Sequence, residues 1–335
     1  GGELAEISES TPVAIDADRE DVVVNPDTVV RERVTAGRDL TVREDRVETS
    51  DGREIEVAAN IGTAAELNGA VAQGADGIGL FRTEFLFLNR EQPPSEDEQF
   101  ESYIEALDAF PEGRIVVRTL DIGGDKPIPY LELPDEENPF LGNRGIRRSL
   151  GADSDLFETQ LRALLRAAAA GDGTLSVMFP LVATLDELTA ALDAVERVAR
   201  DLDTEGIEYA TPELGVMIET PAAIFMAEAF ADKVDFLSIG TNDLAQYVMA
   251  ADRENEAVAD LHDPQQPAVL RAIKRAVEAA HDNDAWIGMC GEMAGDPKLT
   301  ELLVGLGLDE LSMSAVTVPA VKANITKIDR SEAVS

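Results

Sequence analysis

Six polar residues follow short apolar runs in this chain, each at or just after the point where a run ends. They are two arginines, two carboxylates, an amide and a thiol: Arg82, Arg118, Glu219, Asp243, Asn242 and Cys290. A single arginine in such a place is often half of a surface ion pair, which contributes little stability. Two arginines that end neighbouring apolar strands have no charge partner within those strands. Guanidinium groups make two-point contacts with phosphate and carboxylate oxygens, so the pattern predicts a polyanionic ligand.

The two carboxylates, Glu219 and Asp243, end adjacent predicted strands. They could form an acid and base pair, or serve as counterions for the arginines. A third reading, which a phosphate ligand favours, makes them oxygen ligands for Mg²⁺. This ion keeps several waters and shares the phosphate oxygens of its substrate.

Cys290 is the only cysteine, so no internal disulfide can form, and a cytoplasmic location is favoured. A lone cysteine is often a small buried hydrophobic residue. At a strand end beside arginines we expect the pKa of its thiol to fall, which would make it a proton donor or a nucleophile. Of the two histidines, His281 is predicted to be structural, and we assign no role to His262.

From Arg53 onward a short apolar strand and an amphipathic helix alternate eight times. The predicted strands are 55–61, 77–81, 115–117, 175–179, 214–218, 234–239, 285–289 and 310–314. This pattern predicts an α/β fold, a (β/α)8 TIM barrel whose site lies at the carboxyl ends of its strands. The competing doubly wound sheet usually has a Gly-rich phosphate turn with a ribose-binding acid, and none is found.

Local signals mark where several helices begin. Capping boxes are predicted at Thr63, Ser95 and Thr184, and Pro221 is predicted to start a helix. Thr241 or Asn242 has two readings, a site residue or a simple helix cap. A long Gly- and Pro-rich loop, 121–151, interrupts the alternation and is expected to be functional. The loop carries Arg144, and Arg253 lies on a turn. Both side chains could reach the mouth that the carboxyl ends of the barrel strands form.

The first 54 residues differ from the rest and are predicted to be an N-terminal extension of the barrel, which spans 55–330. Residues 13–16 and 22–26 have the pattern of two short strands around an acidic turn. Residues 29–47 are rich in charges of both signs, which suggests an exposed linker helix or a loose connection.

The chain of 335 residues carries 28 basic and 66 acidic side chains, a formal net charge of −38. Such a surface excludes nucleic acid and anionic membranes as partners. No run is long and apolar enough to span a bilayer. The acid is spread through patterned segments, so we interpret it as adaptation to high salt, where screening relieves the repulsion.

Six motifs together resemble the phosphoenolpyruvate-binding barrel of enzyme I, which starts the phosphoenolpyruvate:sugar phosphotransferase system. They are 77–87 (GIGLFRTEFLF), 118–126 (RTLDIGGDK), 138–144 (NPFLGNR), 215–222 (GVMIETPA), 238–244 (SIGTNDL) and 288–296 (GMCGEMAGD). The resemblance runs from about 55 to 327. Pyruvate phosphate dikinase and phosphoenolpyruvate synthase share the barrel and several motifs, and would imply turnover linked to ATP or AMP. The 77–87 and 288–296 versions look more like enzyme I.

The resemblance implies how phosphoenolpyruvate is held. Arg82 and Arg118 would bind the phosphoryl group, and Arg253 with Asn242 the carboxylate end. Asp243 would contribute to substrate binding and also to the metal site. Clustered arginines fit phosphoryl transfer, which is mostly positioning and charge neutralisation.

The resemblance also implies the chemical roles. Glu219 and Asp243 would bind Mg²⁺, while Arg144 and Lys126, on the long loop, would stabilise developing negative charge. Cys290 would protonate the enolate to give pyruvate, because the enolate needs one proton on carbon from a group over its face.

The partners follow from the same resemblance. In the family the phosphoryl group passes to a histidine in a Thr-Ser-His motif, absent from this sequence. It then passes to the phosphocarrier protein HPr. Residues 12–27 resemble the closing strands of that histidine domain, so we expect the chain to be the carboxyl-terminal portion of such a protein. A homodimer through the barrel is implied. Alternatively, this chain is a ligand-binding and dimerisation platform without turnover.

Overall fold

The computed structural model describes residues 13–16, 21–24, 26, 41–123, 128, 130–131, 133 and 135–329. The chain forms two compact units, Gly1–Val42 and Arg43–Ser335. In the first, β1 (Val13–Asp16) pairs antiparallel with β2 (Asp21–Val24), which confirms the two short strands. Most of the charged stretch 29–47 lies outside the described residues. The assignment of residues 1–54 to a histidine-domain remnant and a linker stays a prediction.

The second unit is a closed barrel of eight parallel strands, as predicted. The strands are β4 (Glu54–Ile61), β5 (Ile78–Arg82), β6 (Arg114–Arg118), β7 (Thr174–Phe179), β8 (Glu213–Ile218), β9 (Phe236–Ile239), β10 (Trp286–Met289) and β11 (Glu310–Met313). Each pairs with the next, and β11 pairs with β4 to close the ring. A two-residue strand, β3 (Val47–Glu48), adds antiparallel to β4 outside the ring.

Helices follow the strands and surround the barrel. They are α1 (Leu67–Ala72), α2 (Glu84–Phe87), α3 (Glu96–Ala109), α4 (Ile146–Ser149), α5 (Ser154–Ala170), α6 (Leu185–Glu205), α7 (Pro221–Ala231), α8 (Thr241–Met249), α9 (Pro267–His281), α10 (Thr300–Leu306) and α11 (Val318–Ile325). Short 3-10 helices occur at Ala64–Glu66, Pro139–Leu141, Glu256–Leu261, Glu292–Gly295 and Ala315–Thr317. None of the helices in the described part of the chain combines the length and the apolar character that a bilayer crossing requires.

The predicted helix starts are confirmed where capping geometry decides them. Thr63, Ser95 and Thr184 each form a capping box with the glutamate three residues later. The Thr220 hydroxyl accepts a hydrogen bond from the backbone N–H of Ala223, and Pro221 is the first residue of α7. These side chains satisfy backbone donors that a helix start leaves unpaired.

The alternation of side chains along each strand divides the core into two layers. On β6, Ile115 and Val117 point outward into the large core between strands and helices. Val116 points into the barrel, where it packs in a small inner cluster that includes Met217 and Cys290. The same alternation places Arg118, two residues beyond Val116, at the carboxyl-terminal mouth of the barrel.

The described part of the long loop 121–151 is folded and packed. It contains the turn Pro139–Leu141 and the short helix α4, and its residues Ile122 and Ile128 pack on Phe87 and Leu120. The packing anchors the loop over one side of the mouth, which brings Arg144 into the site.

Candidate functional site

Arg118 is buried at the end of β6 and lies between two carboxylates. Its guanidinium donates to Glu84, the first residue of α2, and lies 3.2 Å from Asp121 Oδ2. Burial alone would lower the pKa of this guanidinium, but the charges of Glu84 and Asp121 raise it overall. The strand itself supplies no charge partner, as expected, and the carboxylates come from α2 and the long loop instead.

Arg82 differs from Arg118 although both end neighbouring strands. Its side chain is exposed at the rim, and its guanidinium carbon lies 5.3 Å from the ring centroid of Phe85. Within the described part of the chain it makes no ion pair, so it fits the expectation of an arginine available for an anionic ligand.

Two further arginines reach the mouth from outside the barrel. Arg144 Nη2 lies 2.7 Å from Asp121 Oδ2, and Arg144 Nη1 lies 3.6 Å from Asp243 Oδ1. Arg253 Nη1 lies 3.4 Å from the same Asp243 oxygen. Both guanidinium groups also lie over the ring of Phe140, at 5.8 and 5.0 Å from its centroid. Both arginines therefore reach Asp243 at the mouth.

Glu219 ends β8 and is almost fully buried. One carboxylate oxygen accepts a hydrogen bond of 2.6 Å from the backbone N–H of Leu181. Burial raises the pKa of Glu219 well above its usual range, and the nearby carboxylates of Asp243 and Asp121 raise it further. Acidic groups that disfavour one another's charge in a buried place are groups that a cation would stabilise.

The residues present fit a magnesium ion held in part by its substrate. The buried Asp243 Oδ1 accepts no hydrogen bond in the described regions, and its two arginine neighbours lie 3.4 and 3.6 Å away. The same regions contain no group of three or more His, Cys, Asp and Glu side chains arranged to hold a metal. Glu219 and Asp243 would be the protein ligands, because Mg²⁺ is commonly bound by one or two carboxylates together with waters and substrate phosphates.

Cys290 follows β10 and faces the inside of the barrel, with 6% of its surface exposed. Its thiol donates to the carbonyl oxygen of Ile239 at 3.7 Å. Burial raises the pKa of the thiol to about 12, and the nearby Ser238 and Arg118 only partly oppose this. The predicted fall in the pKa is therefore wrong, because burial outweighs the arginine. A thiol that keeps its proton suits a proton donor better than a nucleophile, which must be a thiolate.

Asn242 lies on the first turn of α8 and does not cap it. The N-cap is Gly240, and no side chain caps this helix, so the reading of Thr241 or Asn242 as a simple cap is wrong. Asn242 Oδ1 accepts a long hydrogen bond of 3.5 Å from the backbone N–H of Glu292. His262 Nε2 lies 2.8 Å from the Asn242 carbonyl oxygen, which brings this unassigned histidine to the mouth.

Sequence reasoning missed several residues that shape the mouth. Glu84 and Asp121 stand inside the quoted motifs but were assigned no role. The Tyr247 hydroxyl donates to the carbonyl oxygen of Phe140, and the side chain of Gln246 accepts from the backbone N–H of Arg253 at 3.0 Å. The position of Gln246 and Tyr247 on α8, the helix of Asn242 and Asp243, is the signal that could have found them.

Lys126 lies outside the described residues, so its role stays a prediction. His281 Nε2 lies 3.0 Å from Asp309 Oδ2, a hydrogen bond that suits a structural role.

Known proteins resemble this chain over most of its length. The family model described as "PEP-utilising enzyme, PEP-binding domain" matches residues 38–330. A phosphoenolpyruvate-protein phosphotransferase of Haloferax volcanii is 65% identical over 334 residues, which cover 99% of this chain and 59% of that protein. The protein of the same name from Staphylococcus carnosus is 48% identical over 337 residues, 98% of this chain and 58% of that one. The chain thus spans somewhat more than half of these relatives.

Among solved structures, an HpcH/HpaI aldolase/citrate lyase family protein from Burkholderia cenocepacia gives a TM-score of 0.49 at 15% identity. That comparison covers 86% of this chain and 95% of the other. At this level the likeness says nothing about the reaction.

Proposed function

The chain belongs to the PEP-utilising enzymes through the PEP-binding domain at residues 38–330, and on this premise we propose that its barrel mouth binds phosphoenolpyruvate and passes the phosphoryl group to a histidine of another domain. The observation that carries the proposal is the meeting of Arg118, Arg144 and Arg253 with two buried carboxylates at one mouth. The names of the relatives favour a phosphoenolpyruvate-protein phosphotransferase over a dikinase or a synthase.

The arginines would hold the two anionic ends of the substrate. Arg82, at the rim and without an ion pair in the described regions, and Arg118, deeper in the mouth, would bind the phosphoryl oxygens. Arg253 and Asn242, which follow β9, would bind the carboxylate. Two-point contacts of guanidinium groups fix the orientation of planar and tetrahedral oxyanions, which phosphoryl transfer requires.

The carboxylates and Arg144 would balance charge during transfer. Glu219 and Asp243 would hold Mg²⁺, which when bound supplies positive charge to the phosphoryl oxygens. Arg144, buried against Asp121 and 3.6 Å from Asp243, would stabilise negative charge on the departing enolate oxygen. Lys126 would assist it from the same loop.

Cys290 would complete the reaction by proton transfer. As the P–O bond of phosphoenolpyruvate breaks, a P–N bond forms on the acceptor histidine and the enolate of pyruvate remains. Its methylene carbon takes the proton from Cys290 Sγ, which gives pyruvate and a thiolate. The high pKa of the buried thiol keeps that proton in place until the enolate forms.

We further propose the partners that such a reaction needs. These are a phosphohistidine domain as the acceptor, the phosphocarrier protein HPr beyond it, and a second copy of the chain in a homodimer. A cytoplasmic location suits phosphoenolpyruvate and the single free thiol.

Pyruvate release tests this function. The chain is mixed with phosphoenolpyruvate, Mg²⁺ and a separately produced phosphohistidine domain in concentrated KCl, and pyruvate is measured over time. We expect pyruvate only when the domain is present, and Cys290→Ala should slow its release by about 100-fold while phosphoenolpyruvate affinity is retained. Absence of pyruvate with the wild-type chain would refute the function. A Cys290→Ala variant with wild-type rates would refute the proton-donor role alone.

A further inference from the structure

A buried carboxyl group lies inside the barrel, away from the mouth already described. Glu310 begins β11, points inward and is 2% exposed, and both of its carboxyl oxygens lack a hydrogen-bond partner in the described regions. Buried polar groups are almost always paired, so an unpartnered one needs an explanation. Burial raises the pKa of Glu310 to about 8, which favours the protonated acid at neutral pH.

The barrel makes room for this carboxyl group with two glycines. A Cβ atom on Gly79 would lie 1.8 Å from Glu310 Oε1, and one on Gly288 would lie 2.6 Å from Glu310 Oε2. Glu310 thus extends over the bare backbone of the two positions. A larger residue at either position would force the Glu310 side chain or the strand to shift, because such distances are far inside van der Waals contact.

The glycine on β10 also connects Glu310 to a buried hydroxyl. Gly288 pairs with Glu310 of β11 on one side and with Ser238 of β9 on the other. Since Gly288 has no side chain, the inward-pointing Glu310 and Ser238 face each other across it. Ser238 Oγ is likewise buried without a hydrogen-bond partner in the described regions.

Ser238 in turn lies beside the thiol of Cys290. Cys290 is two residues beyond Gly288 and faces the same interior, and its thiol donates to the carbonyl of Ile239, the residue after Ser238. The Ser238 hydroxyl is close enough to lower the pKa of the thiol against the larger effect of burial. An acid, a hydroxyl and a thiol therefore follow one another along the interior of three neighbouring strands.

We propose that Glu310 is an internal proton source that reloads the Cys290 thiol through the Ser238 hydroxyl after each enolate has been protonated. This proposal rests on the function proposed above. The thiolate takes the hydroxyl proton of Ser238, and Ser238 takes the carboxyl proton of Glu310 through one buried water, since the two groups are not hydrogen-bonded to each other. The S–H bond re-forms, one O–H bond of Glu310 breaks, and Glu310 is left as a carboxylate.

A second carboxyl group, that of Glu56, lies beside Glu310 at the far end of the barrel. Glu56 is the register partner of Glu310 on β4, and Arg114 Nη1 lies 2.8 Å from Glu56 Oε2. The charges that face Glu310 are Glu56 and Asp309, which raise its pKa, and Arg114, which lowers it. In this relay Glu56, whose side chain is 10% exposed, would pass a proton from bulk water to Glu310, because the guanidinium of Arg114 keeps its protons.

The test separates the first turnover from later ones. The chain is rapidly mixed with phosphoenolpyruvate, Mg²⁺ and a molar excess of the phosphohistidine domain. In Glu310→Gln and in Ser238→Ala we expect a normal first turnover, because the thiol starts protonated. A steady state at least about tenfold slower than wild type should follow, with unchanged KM for phosphoenolpyruvate. Ser176→Ala is the matched control. Ser176 is a buried serine on β7, hydrogen-bonded to Glu213 of β8, and this variant should keep the wild-type steady-state rate.

Infrared spectroscopy gives a readout that a merely structural role would not move. During steady-state turnover the wild type should lose intensity in the C=O stretch of a buried protonated carboxyl, and Glu310→Gln should show no such loss at that frequency. Wild-type steady-state rates in Glu310→Gln, or equal slowing in Ser176→Ala, would overturn the relay while the proposed function stands. A wild-type chain that makes no pyruvate would overturn both.

Discussion

Asp121 shows how the mouth is organised at the scale of single residues. It is 2% exposed and lies between two arginines, with Arg118 Nη1 at 3.2 Å and Arg144 Nη2 at 2.7 Å. An arginine buried without a partner would be strongly destabilising, so such carboxylates keep the guanidinium groups in place before a ligand arrives. Phosphoenolpyruvate would then meet arginines whose positions are already fixed, which lowers the entropic cost of binding.

The pH dependence of stability reports on Glu310. Its pKa rises from an ordinary 4.5 to about 8 on folding, so the folded state binds more protons than the unfolded state between these values. Folding stability contributed by this proton is complete below pH 4.5 and is lost as pH rises through 8. We expect the unfolding free energy of Glu310→Gln, measured with urea in concentrated KCl, to fall less with pH across this window than that of the wild type. Parallel pH profiles for the two proteins would contradict the assignment.

At the scale of elements, the strands and capped helices were predictable because their signals are local. Alternating or continuous apolar runs defined β4–β11, and the capping boxes at Thr63, Ser95 and Thr184 needed only residues three apart. The partners of the arginines were not predictable in this way. Glu84 and Asp121 meet Arg118 only after α2 and the long loop fold over the mouth, and the burial that raises the pKa of Cys290 depends on the whole barrel.

The glycine of β5 tests the packing of the barrel interior. Gly79→Ala would place a methyl group 1.8 Å from Glu310 Oε1 and 2.5 Å from Ser312 Oγ, so the side chains or the strand must shift. We expect a loss of roughly 3 kcal/mol or more in the unfolding free energy. Gly69→Ala is the matched control. Gly69 is exposed on α1, and an added Cβ atom there would have nothing within 4 Å. It should stabilise by about 0.5–1 kcal/mol. Equal effects from the two substitutions would show that the interior is not packed as described.

At the scale of the whole molecule, the net charge of −38 governs how stability depends on salt. Self-repulsion among 66 acidic groups opposes the compact state, and dissolved salt screens it over about 10 Å at 0.1 M and about 3 Å at 1 M. We expect the melting temperature to rise steeply between dilute buffer and concentrated KCl. A neutral osmolyte at equal osmolality serves as the control and should have a smaller effect. Equal melting temperatures in dilute and concentrated KCl would refute the adaptation to salt.

Calorimetric titration of phosphoenolpyruvate into the chain, with Mg²⁺ in concentrated KCl, tests the mouth as a binding site most directly. We expect binding that weakens without Mg²⁺. In Arg82→Gln it should weaken by roughly tenfold to a hundredfold, because one charge-assisted contact is lost. Arg197→Gln, which removes an exposed ion pair with Glu158 on the helical surface, should bind as the wild type does. No heat at millimolar phosphoenolpyruvate, or equal affinities for wild type and Arg82→Gln, would contradict the account.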